Sequence, residues 1–168
     1  MTADRMANRM AVHVGVCGPR DASPEQERRA RRVGELIADA GAIVVCGGGT
    51  GVMAAVAAGA RAHGGLVIGV WPGAHRADAN PDLSATVVTN MGEARNAIIV
   101  LSADAVIVIG GSWGTLSELA LARRRGKPVV SLGGWRVADA DGRPVGGVAH
   151  VDTPEDAVRL ALAGSAQL

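Results

Sequence analysis

Short runs of β-branched and aliphatic residues recur along this chain. Each gives way to a glycine turn or to a stretch with helical periodicity, and that alternation is the strongest constraint on the fold. VHVGVC (12–17), IVVC (43–46), LVIGVW (66–71), ATVV (85–88), VIVI (106–109), KPVVSL (127–132) and a last run at 148–151 read as strands. Between them lie helix signals. Ser23-Pro-Glu-Gln26 has a cap, a proline at the first helical position and a glutamine closing a capping box. Val33, Leu36, Ile37 and Ala40 then share one helical stripe, and Gly41 ends it. Val52, Val56 and Ala60 share another, stopped by Gly64-Gly65. Asn90, with Glu93, reads as the capped start of a helix running to about Leu101. A further helix is expected from about Thr115 to near Gly126, and Thr153-Pro-Glu-Asp156 opens the last. Residues 72–83 and 133–144 read as a polar loop and a loop or hairpin.

Strands alternating with helices imply βαβ units. The expected fold is therefore a Rossmann-like three-layer α/β/α domain with a mainly parallel sheet of about six or seven strands. At 168 residues one domain is expected: residues 1–10 as a disordered arm and 11–168 as a single Rossmann-like domain. Phe and Tyr are absent, so the core must be built from Val, Ile, Leu, Ala and Met.

A net charge of +1 provides no overall field for nucleic acid or membrane. The arginine runs at 28–32 and 123–125 fall in expected helices and read as solvated faces. No apolar stretch reaches the ~20 residues of a membrane span, and the first ten residues lack a signal-peptide pattern. Two cysteines, Cys17 and Cys46, are too few for a disulfide framework and point to the cytoplasm. His13, His63, His75 and His150 are scattered without ligand spacing, so no metal site is expected.

Three glycine turns follow expected strands, at Gly15–Gly18, Gly47–Gly51 and Gly110–Gly114. Strands of one parallel sheet end at the same edge. Glycine lets backbone N–H groups approach an anion there, and a following helix N-terminus adds partial positive charge. Gly18, Gly47, Gly48, Gly49, Thr50, Gly51, Gly111, Ser112, Trp113, Gly114 and Thr115 are therefore the candidate residues for binding a ligand phosphate. No Gly-Lys-Ser/Thr follows either turn, and the 47–51 spacing is not that of a dinucleotide site. ATP hydrolysis and dehydrogenase chemistry are thus disfavoured.

VVCGGGTGVM (44–53), GGLVIGVWP (64–72) and the glutamate-ended turn at 111–118 resemble the LOG family, once labelled lysine decarboxylase-like, of the wider Rossmann-like SLOG group. The resemblance covers about residues 12–132. It implies a nucleotide pocket at the glycine loops and a homodimer or homotetramer. LOG enzymes cleave the N-glycosidic bond of cytokinin nucleoside 5′-monophosphates. A branch of short chains, more similar through MGEARN (91–96), includes molybdenum-cofactor carrier proteins, which bind a phosphorylated pterin without catalysis. The more distant DNA-processing protein A binds single-stranded DNA.

Carried over by residue, Glu118 matches the catalytic glutamate and Arg95 the catalytic arginine. Gly110 and Ser112 replace a proline and a glycine of the enzymes, Asn96 their lysine, and Gly92 their histidine. These departures spare binding and weigh against hydrolysis. The expected function is binding of a phosphorylated nucleotide or pterin, of the molybdenum-cofactor-carrier type. The alternatives are a nucleoside-monophosphate phosphoribohydrolase and, more weakly, single-stranded nucleic-acid binding. No cofactor is required; a molybdenum cofactor or a nucleoside monophosphate would be the ligand.

Several residues keep two readings. Glu118 could complete a capping box with Thr115 or face a sugar. Arg95 could be an exposed helix residue or could position a phosphate. Thr50 and Thr115 could cap or donate to phosphate. Trp113 could stack on a ring or plug the sheet edge. His75, Arg76 and Asp78 could close over a ligand or form a solvated loop; Trp71 reads as packing and the cysteines as small buried thiols.

Overall fold

The computed structural model describes residues 10–166, so nearly all of the expected N-terminal arm lies outside the described residues. Its strands are β1 (His13–Cys17), β2 (Ile43–Cys46), β3 (Val67–Trp71), β4 (Ala85–Val88), β5 (Ala105–Ile109), β6 (Val129–Leu132) and β7 (Val148–Val151). Its helices are α1 (Pro24–Asp39), α2 (Val52–Ala62), α3 (Asn96–Ser102), α4 (Trp113–Arg124) and α5 (Pro154–Ser165). The strands form one sheet in the order β4-β3-β2-β1-β5-β6-β7, and every neighbouring pair is parallel. This is a Rossmann-like α/β fold.

The chain builds outward from β1 to β4, returns to the other side of β1 with β5, and continues to β7. That reversal puts α1 and α2 on one face and α3 and α4 on the other; α5 comes back to pack against α1. Val14, Val16, Val44, Ile107 and Ile109 face the first layer, while Val45, Val106 and Val108 face the second. β5 is buried along its whole length, as its uninterrupted apolar run demands. The reversal also opens a crevice beyond the carboxyl ends of β1 and β5, where open α/β sheets take ligands.

The helix signals at the chain's two ends are realised as written. Ser23 Oγ accepts from the Gln26 N–H at 3.2 Å, and the Gln26 side chain accepts from the Ser23 N–H at 2.9 Å. Thr153 caps α5 through the Asp156 N–H. Glycines set the packing of α1 on α2. A Cβ on Gly34 would run into the backbone of Val56, and one on Gly59 into that of Arg31, so the two helices touch main chain to main chain.

Two expected starts are corrected. Asn90 does not cap a helix: it sits at φ 50°, and its N–H donates to the Gly73 carbonyl at 3.1 Å. The Gly92 N–H donates to Pro72, so residues 90–92 are tied to the preceding loop. A 3-10 turn over Gly92–Arg95 follows, and regular helix begins only at Asn96. The second correction concerns α4. It starts at Trp113, with Ser112 as cap, and not at Thr115. Ser112 Oγ accepts from the Thr115 N–H at 3.2 Å, so Thr115 and Glu118 form no capping box. The loop at 72–83 contains a 3-10 turn at Arg76–Asp78, and 133–144 is a hairpin closed at Ala138 and Pro144.

Candidate functional site

With its start moved upstream, α4 carries Glu118 in its second turn, facing inward, and not among its first N–H groups. Glu118 is only 7% exposed and Arg95 8%. Arg95 reaches the same spot from the other side, at the end of the 3-10 turn held by residues 72–73. Its Nη1 lies 3.9 Å from Glu118 Oε1 and also donates to Asn96 Oδ1, while its Nε is buried without a partner among the described residues. A buried guanidinium with an unanswered N–H is costly unless something accepts from it.

Burial pushes the Glu118 carboxyl up to about 7, against the opposing pull of Arg95 and of a hydrogen bond from the Cys17 thiol. The same burial, reinforced by Glu118, pushes the Cys17 thiol well up, so it stays protonated. Cys46, on the neighbouring strand end, is pushed up to about 11 by burial. Both cysteines are free and buried, as small buried thiols should be.

Above Arg95 and Glu118 lies a cleft of about 380 Å³, at the crevice where strand order reverses. Gly18 and Arg20 wall it from the end of β1, and Ser112, Gly114 and Thr115 from the end of β5. Gly114 faces open space: a Cβ there would meet nothing nearer than Ser112 Oγ, at 3.9 Å. The N–H groups of Trp113 and Gly114 donate to no described acceptor, as the first N–H groups of a helix must unless capped.

The other glycine turn plays a different part. A Cβ on Gly47 would lie 2.7 Å from both Arg95 Nη2 and Met53 Sδ, so the missing side chain is the seat of the guanidinium. The Gly48 N–H points at the Cys46 thiol. Gly51, at φ 63°, lets the backbone of Pro19 and Arg20 close over the turn. There the Val52 N–H donates to the Pro19 carbonyl at 3.1 Å, and the Thr50 hydroxyl to that of Arg20 at 3.3 Å. Of the candidate phosphate residues, Gly18, Ser112, Gly114 and Thr115 therefore line the cleft with Arg95 and Glu118. Gly49 and Thr50 line a neighbouring cavity. Gly111 lies under Trp135, and Trp113 is 80% exposed and stacked edge-on against Trp135, its centroid 5.0 Å away. Trp113 plugs no sheet edge.

Arg20, Met53 and Glu93 also line the cleft and were not singled out from sequence as ligand contacts. The signal for Arg20 was its place just after the first glycine turn. Met53 and Glu93 lie inside the stretches 44–53 and 91–96 that carry the family resemblance, which was the signal for them. Among the described residues no three His, Cys, Asp or Glu side chains gather as a metal cluster, and no helix is long and apolar enough to cross a membrane.

A fully parallel sheet with a crevice at its switch point and a buried Arg–Glu pair beneath it defines a Rossmann-like α/β class. Within that class the chain belongs to the SLOG cluster4 family, whose pattern it matches over residues 11–158. It is 33% identical to the molybdenum cofactor binding protein of Rippkaea orientalis; the match covers 93% of this chain and 98% of that one, with a TM-score of 0.83. The Moco carrier protein of Chlamydomonas reinhardtii matches with a TM-score of 0.83 at 31% identity, over 95% of this chain and 100% of that one. An uncharacterized protein of Archaeoglobus fulgidus is 41% identical over 92% of this chain and 97% of its own length. The cytokinin riboside 5′-monophosphate phosphoribohydrolase of Mycobacterium marinum is 40% identical over 106 residues, 61% of this chain; the match spans only 57% of the enzyme.

Proposed function

We infer that the cleft binds a phosphorylated small molecule of the pterin-cofactor type and carries it without changing it. The observation that bears most weight is Arg95, buried and with an unpartnered Nε beneath a cleft rimmed by free helix N–H groups. A phosphate in the cleft accepts from the Arg95 guanidinium, and the N–H groups of Trp113 and Gly114 with the Ser112 hydroxyl hold its other oxygens. Burial holds the Glu118 carboxyl up to about 7, so a bound anion beside it is relieved of repulsion when that carboxyl takes a proton. Likeness to a molybdenum-cofactor binding protein and a Moco carrier over nearly their whole lengths supports this ligand class. The molybdenum cofactor would be cargo here, bound through its phosphate and ring.

A second reading has one specific observation in its favour. A buried carboxyl near 7 beside an arginine is what glycosidic cleavage uses. Glu118 would take a proton from the water that attacks the sugar carbon. The bond to the base would break with its electron pair on the base nitrogen, which is then protonated, leaving ribose 5-phosphate. The test is incubation of the purified protein with AMP and cytokinin riboside monophosphates, with ribose 5-phosphate as readout. The carrier reading predicts none above the buffer control. Turnover abolished by Glu118→Gln would replace it with the hydrolase.

Nucleic-acid binding gains little from the first arginine run. Arg28 and Arg29 pair with Glu25, Arg31 with Glu35, and Arg32 with Glu35 and Glu155. Self-association as a dimer or tetramer is supported by apolar side chains left exposed on and around β4 and α3, among them Val87 and Leu101; light scattering tests it. Two free, buried cysteines support a reducing compartment.

A further inference from the structure

The loop at 72–83 is a fixed wall. The Asn80 N–H donates to the Gly48 carbonyl at 2.9 Å, and its side-chain amide to the Gly49 carbonyl at 3.3 Å. Leu83 packs into the space left open by Gly69. Pinned in this way, the loop encloses a second cavity of about 320 Å³ beside the cleft, lined by Arg20, Gly49, Thr50, Trp71, Asp78 and Asn80. Arg20 is on the lining of both spaces. The ion pairs among the described residues leave Arg20 and Asp78 unmatched.

The composition of this cavity differs from that of the cleft. The cleft offers donors: a helix N-terminus, a hydroxyl and a buried guanidinium. The second cavity offers an aromatic side chain, Trp71, packed beside Gly48 and Gly73, and a carboxylate, Asp78, that makes no ion pair among the described residues. Asn80 is already committed to the glycine turn. A carboxylate accepts two parallel N–H bonds, so its partner is a ring edge bearing two adjacent N–H groups.

We propose that this second cavity is the heterocycle subsite of the same ligand and selects a 2-amino-4-oxopyrimidine edge, the edge shared by pterins and guanine. Trp71 covers the ring face, Asp78 accepts from the ring N–H and the 2-amino group, and Arg20 bridges the ring and the phosphate. This rests on the cleft being the phosphate site.

Isothermal titration of the full chain with three probes tests it: guanosine 5′-monophosphate, inosine 5′-monophosphate, which lacks only the 2-amino group, and 6-hydroxymethylpterin. Guanosine monophosphate should bind on the order of tenfold or more tighter than inosine monophosphate, because a site built to bond an N–H rejects the analogue lacking it. Asp78→Asn, at an exposed position, should bring that ratio to about one without moving the melting temperature. The pterin should bind in an Asp78-dependent way. Tighter binding of the pterin than of guanosine monophosphate, despite its lack of phosphate, identifies pterin as the ring source, and the reverse identifies guanine. Equal affinities for the two nucleotides, or a ratio untouched by Asp78→Asn, overturns the subsite. If Arg95→Gln still weakens both nucleotides, the phosphate site stands without it. If the Asp78-dependent ratio holds while Arg95→Gln changes nothing, the phosphate site falls and with it the assignment of this cavity as a subsite of the same ligand. Binding of none of the three overturns both.

Discussion

Glu118 and Arg95 set the behaviour of the site. A carboxyl raised from 4.5 to about 7 in the folded protein binds its proton more tightly there than in the unfolded chain. Its contribution to stability is therefore complete below about pH 4.5 and is lost as pH rises through about 7, a change on the order of 3 kcal/mol. Thermal melts from about pH 5 to about pH 8 should show wild type losing stability where Glu118→Gln does not. Parallel curves would mean that Glu118 is not the group held up by burial. The same residue links pH to ligand. A bound phosphate beside it favours the neutral carboxyl, so affinity should tighten as pH falls from about 8 toward 7 and be flatter in Glu118→Gln, as titration calorimetry would record. Gly47→Ala tests the seat of the guanidinium. Its Cβ falls on Arg95 Nη2 and Met53 Sδ, both ends of flexible side chains. Phosphate affinity should drop several-fold, with a stability loss of about 1–2 kcal/mol.

At the scale of elements, what was readable from sequence followed the range of the signals. Strands and amphipathic helices announce themselves within a few residues. All seven strands and the caps Ser23 and Thr153 were legible for that reason. The α4 start was misjudged because Ser112 and Thr115 are both good caps, and sequence alone does not choose between them. The structure uses Ser112, with Thr115 Oγ1 2.8 Å from Ser112 Oγ, and so turns Glu118 inward. Ser112→Ala should therefore destabilise the helix by about 1 kcal/mol in chemical denaturation, whereas a Thr115 cap would predict no effect. Asn90 failed as a cap for a long-range reason, its hydrogen bond to Gly73. The α1–α2 contact is likewise invisible in periodicity. Gly34 and Gly59 look like helix-weakening residues, yet each is where the other helix's backbone passes. Gly59→Ala should cost about 3 kcal/mol instead of gaining helix propensity, again by denaturant unfolding.

Across the whole molecule, sheet topology does the assembling. Residues as distant in sequence as Gly18, Arg95 and Gly114 meet because β1 and β5 are neighbours and both end at the reversal of strand order. Sequence pointed to the edge where this happens, but not to the division of labour there. The glycine turn after β2 seats Arg95 and closes against residues 19–20, and the turn after β5 faces the cleft. If Arg95 and the start of α4 hold the phosphate of a carried pterin cofactor, as proposed, loss of Arg95 must release the cofactor. The most direct measurement is retention of purified molybdenum cofactor through gel filtration by wild type and by Arg95→Gln, both checked for a native melt. Wild type should leave the column with close to one cofactor per chain, and Arg95→Gln with little or none. Equal retention by the two proteins, or none by wild type, would rule out phosphate capture by Arg95.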